Sequence, residues 1–261
     1  MPVIHQLLTG TSSPADKLEQ YMETETNLVV LERERYESTR DYAIRCLSYN
    51  IVNLHLKPGQ LVSESIISEQ LELSRTPVRE AFFDLSKSGL LKIMPQRGTR
   101  VSHIDLDLVE EARFARWAIE RCIVQQLSQT RTDYDIVELR NNIEQQRMCI
   151  ENNDAAQLLE IDNTFHKLLF RFCQKESVHN FLKRLRVHFD RVRNLNIERM
   201  DMDRLVNDHT ELTDAIEAKD EAKSLEVIDR HLTRVIDDIH YLKLQYPDYF
   251  VTKKKRTIAS F

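Results

Sequence analysis

Glycine and proline are almost missing from the second half of the chain. All four glycines lie in the first hundred residues, and between Thr99 and Tyr246 there is neither glycine nor proline. Because these two residue types mark most tight turns, such a stretch predicts helices joined by short polar connections. Polar breaks near residues 130–135, 151–154, 174–178, 199–203 and 218–221 predict about six helices.

Cysteines are few, and long apolar runs are absent. The four cysteines are scattered, with no CxxC pair. This pattern argues against a disulfide framework or a cysteine zinc site, and it favours reduced thiols in the cytoplasm. No apolar window approaches eighteen residues, and the N-terminus lacks a basic stretch followed by a long apolar run. We therefore expect neither a membrane span nor a signal peptide.

The net charge of −5 is distributed unevenly along the 261 residues. Residues 72–104 carry six Lys or Arg against three Asp or Glu, whereas residues 105–249 carry 21 against 29. The last residues add a basic run, Lys253 to Arg256, with no acid. An acidic body with a short basic segment is compatible with nucleic-acid binding by that segment alone, and chance fluctuation is the alternative.

The first hundred residues have a different pattern from the rest. Residues 38–54 predict a helix that ends before a Pro58-Gly59 turn, SESIISEQLEL predicts a short helix, and SRTPVREAFFDLSKSG predicts a third that Gly89 ends. Two β-prone runs on either side of residues 95–98 then predict a hairpin. Three short helices followed by a hairpin indicate a winged helix-turn-helix. The preceding acidic stretch, TETNLVVLERERYE, has helical potential but no assigned role.

The third helix has two distinct faces. Its apolar face is formed at helical spacing by Val78, Ala81, Phe82 and Leu85. Pro77 falls in the first turn, where the backbone N–H has no partner within the helix, so this proline starts the helix rather than ending it. Arg75, Thr76 and Arg79 cluster on another face, as in a helix that enters a major groove. An exposed helix start with two solvated arginines is the alternative.

The stretch LKPGQLVSESIISEQLELSRTPVREAFFDLSKSGLLKIMPQRGTRV strongly resembles the DNA-binding domain of GntR-family bacterial transcription regulators, over roughly residues 38–104. The resemblance implies that double-stranded operator DNA is the partner. It further implies that the recognition helix contacts DNA through Arg75, Thr76 and Arg79, and the wing through Gln96, Arg97, Gly98 and Thr99. Ser65 stands where many relatives carry an arginine, which would shift operator preference.

Four polar residues lie on apolar helix faces in the second half of the chain. Asp162 and His166 are one helical turn apart, and His209 and His231 each share a face with aliphatic residues. Such groups are costly to bury unless they are paired or bind a metal. One carboxylate and three imidazoles suit Zn²⁺, with Ni²⁺ or Mn²⁺ as alternatives. For each histidine, a hydrogen-bonded core position is the alternative. His188 also lies on an apolar stripe but has no partner at metal spacing.

Residues 105–245 resemble the all-helical FCD effector domain of the fatty-acid-regulator-like branch of the GntR family. In the metal-binding members of that branch, an Asp-x3-His pair on one helix joins a histidine from each of two later helices. The resemblance therefore implies the metal ligands Asp162, His166, His209 and His231. It also implies that Arg116, on the first helix of this domain, pairs with the negative charge of a small carboxylate effector.

The predicted fold is mainly α, with a winged helix-turn-helix followed by an all-α bundle. We expect an N-terminal extension (1–36), the winged domain (37–104), an effector-binding and dimerisation domain (105–249) and a basic tail (250–261). The expected protein is a cytoplasmic, homodimeric, metabolite-responsive transcription regulator and not an enzyme. Two alternatives stay open: a metal-sensing regulator, and a metal-dependent enzyme that uses the Asp/His₃ site to activate water.

Overall fold

The structure is a computed structural model that describes residues 28–233 and 235–252. The chain divides into two compact units between Ser102 and His103, here called the winged unit and the helical unit. Residues 1–27 of the predicted extension and the basic run that begins at Lys253 lie outside the described residues.

The winged unit has the predicted order of elements. It contains α1 (Thr39–Val52), β1 (Leu61–Val62), α2 (Glu64–Gln70), α3 (Arg75–Lys87), β2 (Leu91–Met94) and β3 (Gly98–Val101). The strands form an antiparallel sheet in the order β1-β3-β2. The two-residue strand β1 was not predicted, because two residues are too few to show an alternating pattern. The winged helix-turn-helix prediction is confirmed.

Local sequence sets the ends of the recognition helix α3 and the turn of the wing. Pro77 occupies the first turn of α3, and the helix is followed by Gly89 at a φ of +77°. In the wing, Gln96 and Gly98 both have positive φ, and Met94 pairs with Gly98 across the hairpin. Glycine reaches such conformations without the steric penalty that Cβ imposes, which explains why Gly89 and Gly98 suit their positions in these turns.

The core of the winged unit is formed by the predicted apolar faces. Val78, Ala81, Phe82 and Leu85 of α3 are all buried, as are Ile66, Ile67 and Leu71 in and after α2. Burying such side chains stabilises a small domain by about 1.5–3 kcal/mol each, as an upper estimate. The exposed side of α3 carries polar residues together with Phe83, which is 56% exposed.

The segment before α1 is extended rather than helical from Leu28 onward, so the expectation of a helix there is wrong. The Val29 N–H donates to Asn50 Oδ1 at 2.8 Å, and Tyr42 Oη donates to the Leu31 carbonyl at 2.9 Å. Leu28 is buried, and its N–H donates to Gln70 Oε1. These partners satisfy the backbone polar groups that a helix would otherwise pair internally.

The helical unit contains eight α-helices among its described residues. They are α4 (Leu106–Thr130), α5 (Asp133–Glu151), α6 (Ala155–Phe172), α7 (Glu176–Leu185), α8 (Val187–Leu195), α9 (Met202–Glu217), α10 (Glu221–Thr233) and α11 (Val235–Gln245). The predicted number was about six. Two additional breaks account for the difference. One separates α10 from α11, and the other falls at Arg186, whose ψ is 12° and whose buried side chain reaches Asn163 and Asp190.

The helix ends of this unit manage without glycine. Asn153, Gln174 and Lys219 adopt φ values of 52°, 57° and 57° immediately after α5, α6 and α9. This left-handed conformation closes the last turn, and glycine is the residue that usually supplies it. These helices therefore end in the left-handed conformation without glycine, and residues for which that conformation is less favourable adopt it.

Two apolar clusters fill the helical unit. The larger one joins α4, α5, α6, α9 and α10 through residues such as Leu127, Leu139, Phe165, Ile216 and Ile228. The smaller one contains Ile104, Val109, Ala112, Phe189, Val192, Leu242 and Phe250. Ile104 and Phe250 form a parallel backbone bridge. Within residues 28–233 and 235–252, every helix is too short or too polar to cross a lipid bilayer.

Candidate metal centre and nucleic-acid interface

The four predicted metal ligands converge on one point inside the helical unit. Helix α6 supplies Asp162 and His166, α9 supplies His209, and α10 supplies His231. One donor atom of each residue lies within 4.8 Å of the donor atoms of the other three. The Nε2 atoms of His166 and His209 lie 3.2 Å and 3.4 Å from Nε2 of His231. Side chains from three helices thus share a single small space.

A chain of amide hydrogen bonds fixes the orientation of the His209 ring. Asn142 Nδ2 donates to the Ile161 carbonyl, which leaves Asn142 Oδ1 to accept from Gln146 Nε2 at 2.6 Å. Gln146 therefore presents Oε1 to Nδ1 of His209, at 2.8 Å. An amide oxygen only accepts, so Nδ1 carries the proton and Nε2 keeps its lone pair toward the centre. Burial lowers the pKa of His209 well below its usual value, which keeps the ring neutral.

Carboxylates orient the other two rings in the same sense. Nδ1 of His166 lies 2.7 Å from Oε2 of Glu120, and Nδ1 of His231 lies 3.4 Å from Oδ2 of Asp208. A carboxylate beside each Nδ1 atom favours the tautomer that carries the proton there, with Nε2 facing the centre as an acceptor. Burial also lowers the pKa of His231. Outer partners of this kind are typical of metal-bound histidines.

Asp162 presents one oxygen to the same space. Its Oδ2 accepts from Arg193 Nη2 at 2.5 Å, whereas Oδ1 is buried and accepts no hydrogen bond from any described residue. Oδ1 lies 3.5 Å from Nε2 of His209 and 3.7 Å from Nε2 of His166. Burial acts to raise the pKa of Asp162, but Arg193 and the neighbouring imidazoles outweigh it and hold that pKa well below the usual value. The carboxylate is ionised.

These four residues fit a divalent cation. Three imidazole lone pairs and a buried carboxylate oxygen with no hydrogen bond face one another without a donor between them, an arrangement that is unfavourable unless a cation or a proton is shared. Three nitrogens and one oxygen are a donor set that suits Zn²⁺, Ni²⁺ or Mn²⁺.

The carboxylates around the centre are all paired with arginines. The pairs are Arg116 Nε with Glu120 Oε1 at 2.6 Å, Arg193 Nη2 with Asp162 Oδ2 at 2.5 Å, and Arg230 Nη2 with Asp208 Oδ1 at 2.9 Å. Arg230 also pairs with Glu211, which Lys223 pairs with in turn, so each of the three groups is close to neutral. Imidazoles that bind a metal are neutral too. The two positive charges of a divalent cation would therefore remain uncompensated by these groups.

A cavity of about 280 Å³ opens beside the centre. Asp162, His231, Arg116 and Arg193 contribute to its polar wall, and Leu159, Phe189, Met200, Leu205 and Leu232 contribute its apolar wall. Arg116 is only 5% exposed, and its Nη2 has no hydrogen-bond partner in the described part of the chain. Arg116 thus lines this cavity, with its Nε bonded to Glu120.

The remaining buried histidines lie apart from the four ligands. Nδ1 of His188 accepts from the backbone N–H of Asp105 at 3.2 Å, which is a structural role. His179 is buried, and neither of its ring nitrogens has a hydrogen-bond partner within the described ranges. The outer partners Glu120, Gln146, Asp208 and Arg193 were missed by sequence reasoning. Only the Arg116–Glu120 pair had a sequence signal, namely opposite charges four residues apart on one helix.

The winged unit exposes most of its predicted DNA-contacting residues. Arg75, Thr76 and Arg79 are exposed at the start of α3. Arg79 Nε donates to Glu64 Oε2 at 3.0 Å, so this guanidinium is anchored on one edge. Gln96, Arg97 and Gly98 are exposed in the wing, whereas Thr99 is 7% exposed between the two outer strands. Thr99 therefore supports the wing more than it extends from it.

Known families match both units. The family of bacterial regulatory proteins called gntR matches residues 41–101, and the FCD domain matches residues 111–234. The HTH-type transcriptional repressor RspR of Escherichia coli is 29% identical over 207 residues, covering 79% of this chain and 91% of the relative. A regulator from an unstable DNA locus of Streptomyces ambofaciens is 30% identical over 203 residues, covering 77% and 85%.

Solved structures show the same fold. The E. coli McbR/YncC structure matches with a TM-score of 0.67 and 21% identity, covering 80% of this chain and 99% of that one. A GntR regulator from Rhodococcus matches with a TM-score of 0.62 and 20% identity, covering 80% and 100%. The matching domains and the similar full-length relatives agree, and this chain belongs to the GntR family of bacterial transcription regulators, with an FCD domain in its helical unit.

Proposed function

We propose that this regulator responds to a small anionic metabolite, a carboxylate, that binds at a metal ion in the helical unit. The observation that carries the proposal is the convergence of three imidazole Nε2 atoms with the unbonded Oδ1 of Asp162. Zn²⁺ is the favoured ion, and Ni²⁺ or Mn²⁺ are the alternatives. When bound, the ion supplies an open position for an anionic oxygen.

The charges around the centre favour an anion over a neutral ligand. The nearby carboxylates are already neutralised by arginines, so the charge of the ion is left for the ligand to balance. Arg116 lines the cavity with a buried Nη2 that has no hydrogen-bond partner among the described residues. A guanidinium edge in this position suits a carboxylate. The apolar wall then accommodates the carbon skeleton of a metabolite.

DNA binding is proposed to use the start of α3 and the tip of the wing. Arg75, Thr76 and Arg79 would read or clamp bases and phosphates, and Gln96, Arg97 and Gly98 would reach the minor groove or the backbone. Thr99 would contribute through the sheet that holds the wing. The site of action is then the cytoplasm, where a bacterial chromosome lies.

We further propose a homodimer on a pseudo-palindromic operator. One winged unit contacts few base pairs, whereas a two-fold pair reads two half-sites. The helical unit is the proposed source of the dimer contact. Sedimentation of the full chain, alone and with operator DNA selected from a random pool, tests this. A chain that sediments as a monomer in both conditions would rule it out.

A metal-dependent hydrolase has less support than a regulator. Asp162 and Asp201 are the carboxylates among the described residues that line the cavity. Asp162 is bonded to Arg193, and Asp201 caps α9 by accepting from the Arg204 N–H at 2.9 Å. A general base needs an unengaged carboxylate within reach of the attacking water. A metal-sensing regulator is distinguished by a response of DNA binding to the metal alone.

The test measures operator affinity with and without metal and effector. DNA binding is compared for chain treated with chelator and chain reloaded with Zn²⁺, each titrated with simple carboxylates and with the matching neutral amides. The expected result is a shift of operator affinity, in the range of about 5- to 150-fold, that needs both metal and carboxylate. A response that survived complete metal removal, or that amides produced equally well, would overturn the proposal.

A further inference from the structure

Arg193 contacts two consecutive residues of the helix that carries the first pair of metal ligands. Its Nη2 donates to Asp162 Oδ2 at 2.5 Å, and its Nη1 donates to Asn163 Oδ1 at 3.1 Å. The Arg193 side chain is 11% exposed. A planar guanidinium held at both ends in this way has one orientation, which a flexible ammonium does not have.

This contact makes the two oxygens of Asp162 unequal. Oδ2 is engaged by Arg193, and Oδ1 is left facing the imidazole rings of His166 and His209. Without Arg193, the carboxylate could rotate about its Cβ–Cγ bond and present either oxygen, or both, to the centre. A fixed carboxylate loses less conformational freedom when it binds an ion.

We propose that Arg193 is a positioning residue of the metal centre, which holds Asp162 so that Oδ1 alone is available as a ligand. The inference depends on the proposed metal-binding function and adds a residue to it. Asn163 contributes to this positioning, because its Oδ1 accepts from the second terminal nitrogen of the Arg193 guanidinium. Arg186 Nη2 donates to the same Asn163 oxygen at 2.9 Å, so Asn163 is itself held by a second buried arginine.

The opposite expectation follows if Arg193 acts only through its charge. A cation beside the site repels a divalent ion, so its removal would then strengthen metal binding. A positioning role predicts the reverse, since loss of an outer partner typically weakens metal binding by about 10- to 100-fold. The direction of the change therefore separates the two roles.

The experiment measures Zn²⁺ affinity of the full chain by competition with a chromogenic chelator. The variants are Arg193→Met, Arg193→Lys and Asn163→Ala, with Arg184→Met as the matched control. Arg184 is an exposed arginine of α7 that does not line the cavity. Far-ultraviolet circular dichroism establishes that each variant is folded, and the absorption spectrum of bound Co²⁺ reports the coordination of the ion.

Arg193→Met is expected to bind Zn²⁺ about 10- to 100-fold more weakly and to change the Co²⁺ spectrum. Arg193→Lys keeps the charge but not the fork, so it should recover only part of the affinity. Asn163→Ala should lose several-fold in Zn²⁺ affinity, by the same reasoning, and Arg184→Met should bind within about twofold of the parent.

Two results would overturn the inference in distinguishable ways. If the parent binds Zn²⁺ at one ion per chain and Arg193→Met binds as tightly or more tightly, the positioning role is wrong and the metal site stands. If Arg193→Met does not fold, Arg193→Lys with parental affinity and an unchanged Co²⁺ spectrum has the same meaning. A parent chain that binds no Zn²⁺ would defeat the metal site and the positioning role together.

Discussion

The Nε2 atoms of His166 and His231 lie 3.2 Å apart, and the Nδ1 atom of each ring faces a carboxylate. A single proton could bridge these two nitrogens, but the ring of His209 approaches His231 at 3.4 Å as well. One proton cannot satisfy all three nitrogens, whereas one cation can.

Loss of either later histidine should empty the metal centre without disabling the winged unit. His209→Ala and His231→Ala each remove a nitrogen ligand, so metal content after dialysis should fall well below that of the parent. Elemental analysis measures this, with the exposed His240→Ala as control. Affinity for operator DNA without effector should stay largely intact in both variants, because the recognition helix belongs to the other unit. Parental metal content in both would contradict the assigned ligands.

The chain of amide hydrogen bonds from Asn142 through Gln146 to His209 should affect metal affinity, although neither amide is a metal ligand. Gln146→Leu keeps the side-chain volume but removes the acceptor of the His209 Nδ1 proton. The ring can then adopt the other tautomer, so we expect Zn²⁺ affinity to fall by about tenfold or more. Gln145→Leu, on the exposed side of the same helix, is the matched control and should bind as the parent does. Equal affinities for the two variants would show that the relay is dispensable.

The recognition helix should carry specific DNA binding. Loss of one bidentate guanine contact costs about 1–3 kcal/mol, so Arg75→Ala and Arg79→Ala should each weaken operator binding by about tenfold or more. Arg184→Ala, an exposed arginine of the helical unit, serves as control. Gel-shift titrations at one fixed salt concentration provide the measurement. If both variants bind the selected operator as tightly as the parent, α3 is not the reading helix.

His179 should make the helical unit less stable in mild acid. Burial lowers its pKa to about 4, whereas a histidine in the unfolded chain has a pKa of about 6.5. The unfolded state therefore takes up a proton first as the pH falls, so stability is full above about 6.5 and declines toward 4. His179→Leu should lose less stability than the parent between about pH 7.5 and pH 5.5, judged by urea midpoints in excess chelator. An identical loss in parent and variant would contradict this, and His240→Leu is the control.

Features that depend on spacing within a single helix were predicted from the sequence more fully than contacts between helices. The apolar face of α3 and the Asp162–His166 pair could be predicted because each depends on the helical period within one continuous stretch of sequence. The omission of His188 from the metal set was also a matter of spacing, and its bond to Asp105 agrees with a structural role. The inclusion of His209 and His231 with that pair began from their positions on apolar helix faces, and the resemblance to a known domain added support for it.

The outer partners of the centre could not be read from the sequence. Gln146 lies on α5, a helix that contributes no ligand, and only the packing of α5 against α6 and α9 brings it to His209. Asp208 directly precedes His209 in the chain but serves His231 on another helix. The extended segment at Leu28 was misjudged for a related reason, because its partners Asn50 and Gln70 are far away in sequence.

The backbone bridge between Ile104 and Phe250 affects the order in which parts of the chain can fold during synthesis. The Ile104 N–H donates to the Tyr249 carbonyl at 2.8 Å, and the Val251 N–H donates to the Ile104 carbonyl at 2.9 Å. Ile104 is fully buried, so both of its backbone groups depend on residues that the ribosome adds almost 150 positions later. N-terminal domains generally fold first on a growing chain. The winged unit can thus be complete while the segment that follows it still waits for the far end of the polypeptide.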